Sequence, residues 1–321
     1  MNINKRRSGA LAAMAISALF VSGGLVTSGS SGAFAATQST DVERWVVPQT
    51  QAAGENYWTP ERMMAAIPGD VLVEDNVASA NGGSVEVGQE KKVSEQSRSP
   101  EINLTATRQT PVDHIGKVFF TLDGLNYVCS GNAVASRNES TVSTAGHCVN
   151  SGPGAFASRF IFVPAYENGD APFGQFNATE LYAPTQWTSR GDITYDTGFA
   201  IVSSNSGASL SDTVGASGVA FNENRGLTYS AFGYPAAPPF TGETLQSCYG
   251  SASDDPNGQT ESQGIPCDMT GGSSGGPWFI GSGSSGYQNS VNSFGYSNVP
   301  NTMFGPYWGS VIANVYDAAA A

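Results

Sequence analysis

Short apolar runs that end at glycine, asparagine, proline or serine dominate the chain from Pro111 to its last residue. They are rich in the β-branched and aromatic residues that favour strands, and long stretches with helical periodicity are scarce. We interpret as strands residues 118–122, 127–134, 140–143, 160–163, 198–202, 227–232 and 278–280. Asp123-Gly124 after the first run is a hairpin signal, and only residues 311–316 suggest a helical turn. This pattern predicts an all-β barrel or sandwich, as one domain or as two small barrels that share a cleft.

The first 36 residues have the layout of a secretory signal peptide. Lys5, Arg6 and Arg7 form a positive start, residues 10–21 are apolar, and residues 33–35 (A-F-A) offer a small-x-small cleavage site. The alternative is a membrane anchor, but the apolar run is shorter than the roughly 18 to 20 residues that a spanning helix needs. We therefore predict a secreted protein that has no membrane contact once residues 1–36 are removed.

Residues 37–110 differ from the rest, since they contain no cysteine and residues 79–99 read as a polar linker. One piece looks structured: Thr59 suits a helix N-cap, Pro60 suits the first helical position, and Pro68 ends the run. The segment is either a short surface helix or, as we favour, part of a propeptide that binds the downstream domain. Candidate cleavage points that would release residues 111–321 follow Lys92, Arg98 and Arg108.

The chain is acidic, with 14 Lys+Arg against 27 Asp+Glu and a formal net charge of -13 over 321 residues. A nucleic-acid partner is not expected, because nothing in this composition would neutralise a phosphate backbone. Hydrophobic residues make up 40% of the chain, which is ample for a packed core and argues against wholesale disorder.

All four cysteines lie after residue 110: Cys129, Cys148, Cys248 and Cys267. An even number in an exported chain indicates two disulfides; three pairings are possible, and pairing of neighbours along the chain is the simplest. Each such loop would contribute roughly 3 kcal/mol in the chain-entropy model. A zinc site is not expected, because the chain has two histidines and no C-x-x-C pair. No metal or organic cofactor is predicted.

Three motifs carry the chemistry: T-A-G-H-C at residues 144–148, Y-D-T-G-F at residues 195–199, and G-G-S-S-G-G-P at residues 271–277. A serine hydroxyl needs a neighbouring base, histidine accepts and returns a proton near neutrality, and a buried carboxylate orients the ring. In the glycine-rich turn, the amides of Gly272 and Ser274 are candidates for stabilising an oxyanion. The other histidine, His114, has no such motif around it and is predicted to be a surface residue.

These motifs resemble those of the chymotrypsin-like (trypsin-fold) serine endopeptidases over residues 111–321. The resemblance implies a double six-stranded β-barrel with a catalytic cleft between the barrels. It also implies that His147 is the general base, Asp196 the orienting acid and Ser274 the nucleophile. The pair Cys129–Cys148 would be the disulfide beside the histidine. Residues 267–274 (C-D-M-T-G-G-S-S) are similar, more narrowly, to the bacterial branch that includes the glutamyl endopeptidases.

The sequence also departs from the family pattern. Ser273 stands where animal trypsin-like enzymes have an aspartate that pairs with a freed N-terminus, so activation by that ion pair is not expected. No histidine follows Ser274, and Asn292 occupies the position where glutamyl endopeptidases use one to recognise glutamate. Asp268 lies at the spacing of trypsin's specificity acid, but glutamyl enzymes share it, so it indicates no preference. Substrate-binding candidates are therefore Asp268, Asn292, Ser293, Phe294 and Gly295; the last three are equally consistent with an ordinary core strand.

Two alternatives remain open at this level. Asp192 competes with Asp196 for the role of the acid, and we favour Asp196 because it directly precedes an apolar strand. An esterase or lipase is disfavoured because no histidine follows the serine motif, whereas an inactive, secreted binding module on the same fold remains the second reading. The sequence thus predicts a monomeric, secreted serine endopeptidase, made as a preproprotein, that acts on proteins or peptides and binds its own propeptide.

Overall fold

The computed structural model describes residues 40–54, 57–94, 107–205 and 207–321. The predicted signal peptide and the candidate cleavage point after Arg98 lie outside these ranges. Within them, no helix has the length and apolar character needed to cross a membrane. The described helices are α1 (Pro60–Met64), α2 (Glu74–Ser79), α3 (Thr185–Arg190), α4 (Leu210–Val214) and α5 (Ser310–Ala319), with 3-10 turns at Gln49–Gln51, Gly69–Leu72, Gly146–Cys148 and Ile193–Tyr195.

Strands account for most of the regular structure in the described ranges. In chain order they are β1 (Val42–Val46), β2 (Ile67–Pro68), β3 (Lys91–Val93), β4 (Thr107–Arg108), β5 (Ile115–Leu122), β6 (Leu125–Val134), β7 (Thr141–Thr144), β8 (Ser158–Pro164), β9 (Phe176–Pro184), β10 (Gly198–Val202), β11 (Val219–Phe221), β12 (Thr228–Gly233), β13 (Gln246–Ser251), β14 (Ser253–Asp254), β15 (Gln263–Pro266), β16 (Pro277–Ile280), β17 (Gln288–Val291), β18 (Phe294–Tyr296) and β19 (Val299–Gly305). All seven predicted strands are present, with ends shifted by a few residues, and the predicted C-terminal turn is helix α5.

The first half of the main domain is a closed barrel. Its strands follow the order β9-β10-β7-β6-β5-β8, and β8 pairs with β9 to close the ring. The hairpin β5–β6 turns at Asp123 and Gly124, whose φ values of 50° and 81° suit a two-residue turn that matches strand twist. Every residue of β5 is buried because one face, with Val118 and Phe120, fills the barrel, while Phe119 joins a cluster with residues of the second half.

The second half contains a seven-stranded sheet, β3-β11-β17-β16-β12-β13-β4, and a four-stranded sheet, β14-β15-β19-β18. The double-barrel fold is confirmed, but this barrel is not the single six-stranded sheet that the family resemblance implied. Gly250 of β13 packs closely against Pro266 of β15: a Cβ added at Gly250 would lie only 2.8 Å from the proline Cδ. Proline donates no backbone hydrogen bond, so a ladder between β13 and β15 is interrupted there.

The described part of residues 37–110 is bound along both halves of the domain. Strand β1 pairs with β9, β2 pairs in parallel with β6, and β3 pairs with β11. Helix α1 begins as expected, with Thr59 Oγ1 accepting from Arg62 N (3.4 Å) and proline at its first position, although it ends at Met64. The prediction of a linker over residues 79–99 is wrong at Lys91–Val93, because these residues form strand β3, which pairs with β11.

The disulfides are Cys129–Cys148 and Cys248–Cys267, the simplest of the three possible pairings. The prediction for His114 was wrong: the residue is half-buried, its Nδ1 lies 2.7 Å from Asn132 Oδ1, and its ring packs edge-on against Phe279. The sequence around His114 gave no sign of this, because both partners are distant along the chain.

Candidate active site

His147 lies in a 3-10 turn, Gly146–Cys148, that directly follows strand β7. The disulfide to Cys129 fastens this turn to β6, and the ring is completely buried. A Cβ at Gly146 would lie 2.9 Å from Asp196 Oδ1, so the glycine of the T-A-G-H-C motif allows a carboxylate to approach the backbone. The motif therefore builds a rigid support for one imidazole.

Asp196 holds His147 at two points. Its Oδ1 accepts from the His147 backbone N–H, and its Oδ2 lies 2.8 Å from Nδ1, with the Oδ1 bond also 2.8 Å long. The pairing of Gly198 with Thr144 in neighbouring strands brings the two residues together. Beside a carboxylate, Nδ1 is the donor, so in the neutral ring Nε2 carries the lone pair.

Asp192, the competing acid, caps the turn Ile193–Tyr195, where its Oδ1 accepts from Thr194 N at 3.2 Å. The structure thus brings Asp196, and not Asp192, to His147. Ser293 adds a third contact that the sequence did not indicate: its hydroxyl donates to Asp196 Oδ2 at 2.5 Å. The sequence predicts Ser293 as a substrate-binding residue or as part of an ordinary core strand, and nothing in its local sequence marks it as a partner of the carboxylate.

Ser274 lies in the loop before β16 and is almost fully buried. Its carbonyl accepts from Ser130 N at 2.7 Å and lies 4.0 Å from Cys148 Sγ, so the loop is seated beside the turn that carries His147. The next residue, Gly275, has φ of +82°, and a Cβ there would lie 2.1 Å from Thr144 Oγ1. His147 Nε2 has no hydrogen-bond partner among the described residues, so the Ser274 hydroxyl is not bonded to it in this state.

Two backbone amides near Ser274, those of Gly272 and Ser274 itself, donate no hydrogen bond among the described residues. Gly271 O accepts from Ala236 N (2.6 Å) and Ser273 O accepts from Gly276 N (3.0 Å). In a trans peptide the carbonyl and the N–H of the next residue point in opposite directions. The N–H of Gly272 therefore points away from the Gly271 carbonyl, and the N–H of Ser274 points away from the Ser273 carbonyl. Gly272 has φ of +93°, a conformation that favours glycine.

Asn292 has a structural position. Its Nδ2 donates to Phe232 O (2.8 Å) and Ser273 O (3.0 Å), and its Oδ1 accepts from Trp278 Nε1 (2.7 Å). These bonds use both amide hydrogens in a fully buried side chain. Asn292 therefore holds the loop before Ser274 in place, and its two amide hydrogens are already used within the protein.

The other substrate-binding candidates are divided by the structure. Phe294 and Gly295 line a cleft of about 800 Å³ together with Tyr296. Asp268 is exposed and does not line this cleft. The same cleft is also lined by the N-terminal segment, including Asp70 and Val73, and no motif in that segment predicts this position. Burial raises the pKa of Asp70, and the nearby His147 opposes part of that rise.

Comparison with known proteins places the chain among proteases. No family model matches it. It is 64% identical to the crystal structure of the protease Anisep from Arthrobacter nicotinovorans, covering 67% of this chain and 99% of that one with a TM-score of 0.66. For a thermostable serine protease, AL20, from an extremophilic microorganism, the identity is 52%, the coverage 65% and 97%, and the TM-score 0.63.

Two more distant similarities add less. A Glu endopeptidase structure shares 22% identity over 68% of this chain and 98% of that one, with a TM-score of 0.55, which supports the fold alone. A protein called extracellular metalloprotease from Bacillus subtilis (strain 168) is 32% identical over 117 residues, 36% of this chain. The chain spans about a third of that protein's length, 35%, so the two solved proteases carry more weight.

Proposed function

This chain is a member of the trypsin-like serine endopeptidases, and we propose that His147, Asp196 and Ser274 form its catalytic triad. The observation that carries the proposal is the double contact of Asp196 with the backbone and the Nδ1 of His147, which leaves a buried Nε2 without a partner among the described residues. A buried nitrogen that can accept a proton needs a donor, and the serine loop is seated beside the same turn.

The chemistry follows from these positions. Nε2 takes the hydroxyl proton of Ser274 while Oγ bonds to the carbonyl carbon of the substrate, and the carbonyl oxygen gains the negative charge. The free amides of Gly272 and Ser274 stabilise this oxyanion. The imidazolium then returns the proton to the departing nitrogen, which leaves an acyl-enzyme. Water repeats the cycle: Nε2 accepts its proton, the hydroxyl adds to the acyl carbon, and Ser274 regains its hydrogen.

The absence of a bond between Ser274 and Nε2 in the described state is compatible with this role. Catalytic hydrogen bonds are often long in unliganded enzymes and shorten when substrate binds. Asp196 needs no such change, because its two oxygens already accept three bonds, from His147 N, His147 Nδ1 and Ser293 Oγ. A carboxylate held in this way orients the imidazole and stabilises the imidazolium that forms during the reaction.

We further propose that the enzyme is a secreted preproprotein, with a signal peptide at residues 1–36, a propeptide at 37–110 and the peptidase domain at 111–321. Two disulfides support an oxidising compartment. The two solved proteases are covered almost completely while about a third of this chain stays unmatched, which supports an additional segment outside the catalytic domain. Proteins or peptides are the proposed substrates, and we propose that the processed enzyme acts as a monomer.

The test is covalent labelling of the processed enzyme with a serine-directed fluorescent phosphonate. We expect the wild type to be labelled and Ser274→Ala to be unlabelled. His147→Ala should react with the phosphonate, and turn over peptide, at least about a thousandfold more slowly than the wild type, because the serine has lost its base. Ser273→Ala is the matched control, since this neighbouring serine bonds to Thr270 O (2.8 Å) and should leave labelling in place. A folded wild type that takes no label would instead be the inactive binding module.

A further inference from the structure

Residues 67–79, which we call the strap, lie across the candidate active site. The strap begins with Ile67 and Pro68, which pair in parallel with Tyr127 and Val128 of β6. The next residue of β6, Cys129, forms the disulfide that fastens the His147 turn. The strap therefore enters beside the same disulfide that supports the imidazole.

Gly69 makes the closest approach to this disulfide. A Cβ at this position would lie 2.6 Å from Cys129 Sγ and 3.3 Å from Val128 O, and it would lie 3.7 Å from Cδ2 of His147. The sulfur is fixed by its covalent bond and has no room to move away. Only glycine lets the strap lie this close to the imidazole.

Asp70 comes next and faces the serine loop. A Cβ on Gly271 would lie 2.0 Å from Asp70 Oδ1, so the carboxylate covers the loop one residue before Gly272. Oδ1 is buried and has no hydrogen-bond partner among the described residues. Burial of this carboxylate raises its pKa, and the nearby His147 and backbone hydrogen bonds from Asp70 and Val71 oppose only part of that rise, so its position depends on the rest of the strap.

Val73 and Asn76 anchor the C-terminal part of the strap to the domain. Val73 is only 3% exposed and packs in the cluster that includes Phe294 and Tyr296 of β18. Asn76 Nδ2 donates to Gly152 O and to Gly191 O, each at 2.9 Å. The cleft between the strap and β18 is the one that the substrate-binding candidates line.

The direction of the strap is opposite to that required of a substrate. The acyl half of a substrate stays on Ser274 and extends toward Phe294 and Gly295. These two residues line the cleft against the strap, and they follow Asn292, whose backbone bonds to Gly275 and Gly276 of the serine loop. The departing half receives the proton of His147 and therefore extends past the imidazole and its disulfide. A substrate thus runs from β18 to Cys129, whereas the strap runs from Cys129 through Gly271 to β18.

We propose that residues 67–79 act as an internal inhibitor that occupies the catalytic cleft in reverse and blocks it without being cut. The inference rests on the proposed triad. In a reversed chain the amide nitrogen of each peptide lies on the acyl side and its carbonyl on the departing side. Attack by Ser274 would then direct the departing nitrogen away from Nε2, which leaves it without its proton donor.

The experiment labels the intact full-length chain with the fluorescent phosphonate and separates precursor and processed enzyme on one gel. If the strap is closed most of the time, the labelling rate of the precursor equals that of the processed enzyme multiplied by the open fraction. We expect the precursor band to label about a hundredfold more slowly. Gly69→Ala, which pushes against the disulfide, and Asn76→Ala, which removes two anchors, should each raise the precursor rate about tenfold or more.

The matched control is Asp75→Ala on the same helix, because Asp75 is exposed and its side chain makes no hydrogen bond with described residues. It should leave the precursor rate within about twofold, and processed enzyme from all four chains should label equally. Equal labelling of the precursor and of processed wild type from which the cleaved N-terminal segment has been removed would overturn the inhibitor. Mass spectrometry of the first products tests direction: an early cut between Ile67 and Val73 would show substrate-like binding. A processed enzyme that takes no label overturns the proposed triad, and the inference with it.

Discussion

The hydroxyl of Ser293 donates to Asp196 Oδ2, the same oxygen that lies 2.8 Å from His147 Nδ1. Ser293→Ala therefore removes one of three bonds to a buried carboxylate, and we expect kcat/KM to fall about tenfold to a hundredfold, since a hydrogen bond to a charged group contributes about 1.5 to 3 kcal/mol. Ser262→Ala is the control, because this buried serine has a hydroxyl without a partner among the described residues. An unchanged kcat/KM in Ser293→Ala would show that the orientation of Asp196 does not depend on this bond.

The second prediction concerns Asn292, which joins Phe232, Ser273 and Trp278. Asn292→Ala leaves buried polar groups unsatisfied and should lower the free energy of unfolding by about 2 to 4 kcal/mol, measured by urea unfolding of chains carrying Ser274→Ala. Asn298→Ala, at an exposed position, should change it by less than about 0.5 kcal/mol. A stable Asn292→Ala chain would mean that another group or water replaces the lost bonds.

The third prediction uses the two disulfides, which close loops of equal sequence separation, 19 residues. Replacing either pair by alanine should cost about 3 kcal/mol of stability. Only the loss of Cys129–Cys148 should also reduce kcat strongly at a temperature where both variants are folded, because that bond fastens the His147 turn. Equal kcat in the two variants would show that strand pairing alone holds the turn.

The fourth prediction concerns Lys117, which is buried against the rings of Phe119 and Tyr166 and lies 3.9 Å from Glu243. Burial lowers the pKa of Lys117 to about 8, partly opposed by Glu243. At Lys117 the unfolded chain therefore binds more protons between about pH 8 and 10.5, so the contribution of this residue to stability should rise with pH in that window.

Lys117→Met is the matched variant for this measurement. Below about pH 8 it should be more stable than the wild type by up to about 3 kcal/mol, and the difference should disappear as pH rises to about 10.5. Urea unfolding at several pH values, with Ser274→Ala in both chains, gives the comparison. A difference that does not vary with pH would show that Lys117 is not the group that titrates.

The fifth prediction concerns Asp70, whose pKa is raised by burial in the closed strap. An acid with a raised pKa opposes closure when it is ionised, so the penalty is absent at low pH and grows as pH rises through the folded pKa. Asp70→Asn removes the charge, and the precursor should then label more slowly than the wild-type precursor at pH 7. Faster labelling would mean that attraction between Asp70 and His147 outweighs the cost of burial.

Local sequence was enough where one short segment determines its own structure. Asp123-Gly124 determined the first hairpin, Thr59 and Pro60 determined the start of α1, and the motif around His147 follows the strand predicted at residues 140–143. What local sequence did not reveal was contact between distant segments. Lys91–Val93 forms a strand because it pairs with the edge of β11. Asn292 holds the serine loop in place because its side chain bonds to Trp278 and Phe232, which are distant along the chain.

The strap itself shows the same limit. Nothing in residues 67–79 resembles a binding motif, and Gly69 has meaning only beside the sulfur of Cys129. Ser130 is similar: its hydroxyl donates to Gly272 O and accepts from Tyr234 N, which ties three distant segments together. The role of such residues is recognised only from the packed structure, because a single serine or glycine in a polar stretch forms no sequence pattern that would predict its contacts.

The N-terminal segment meets the domain through β1, β2 and β3, which pair with three separate strands. Cutting the backbone after residue 94 would remove the tether and leave all three pairings intact. Loss of the tether also removes the high effective concentration that a covalent link provides. We expect the onset of activity to follow a dissociation equilibrium. A cleaved enzyme at high concentration should therefore remain inhibited, and it should become active when dilution lets the N-terminal segment dissociate.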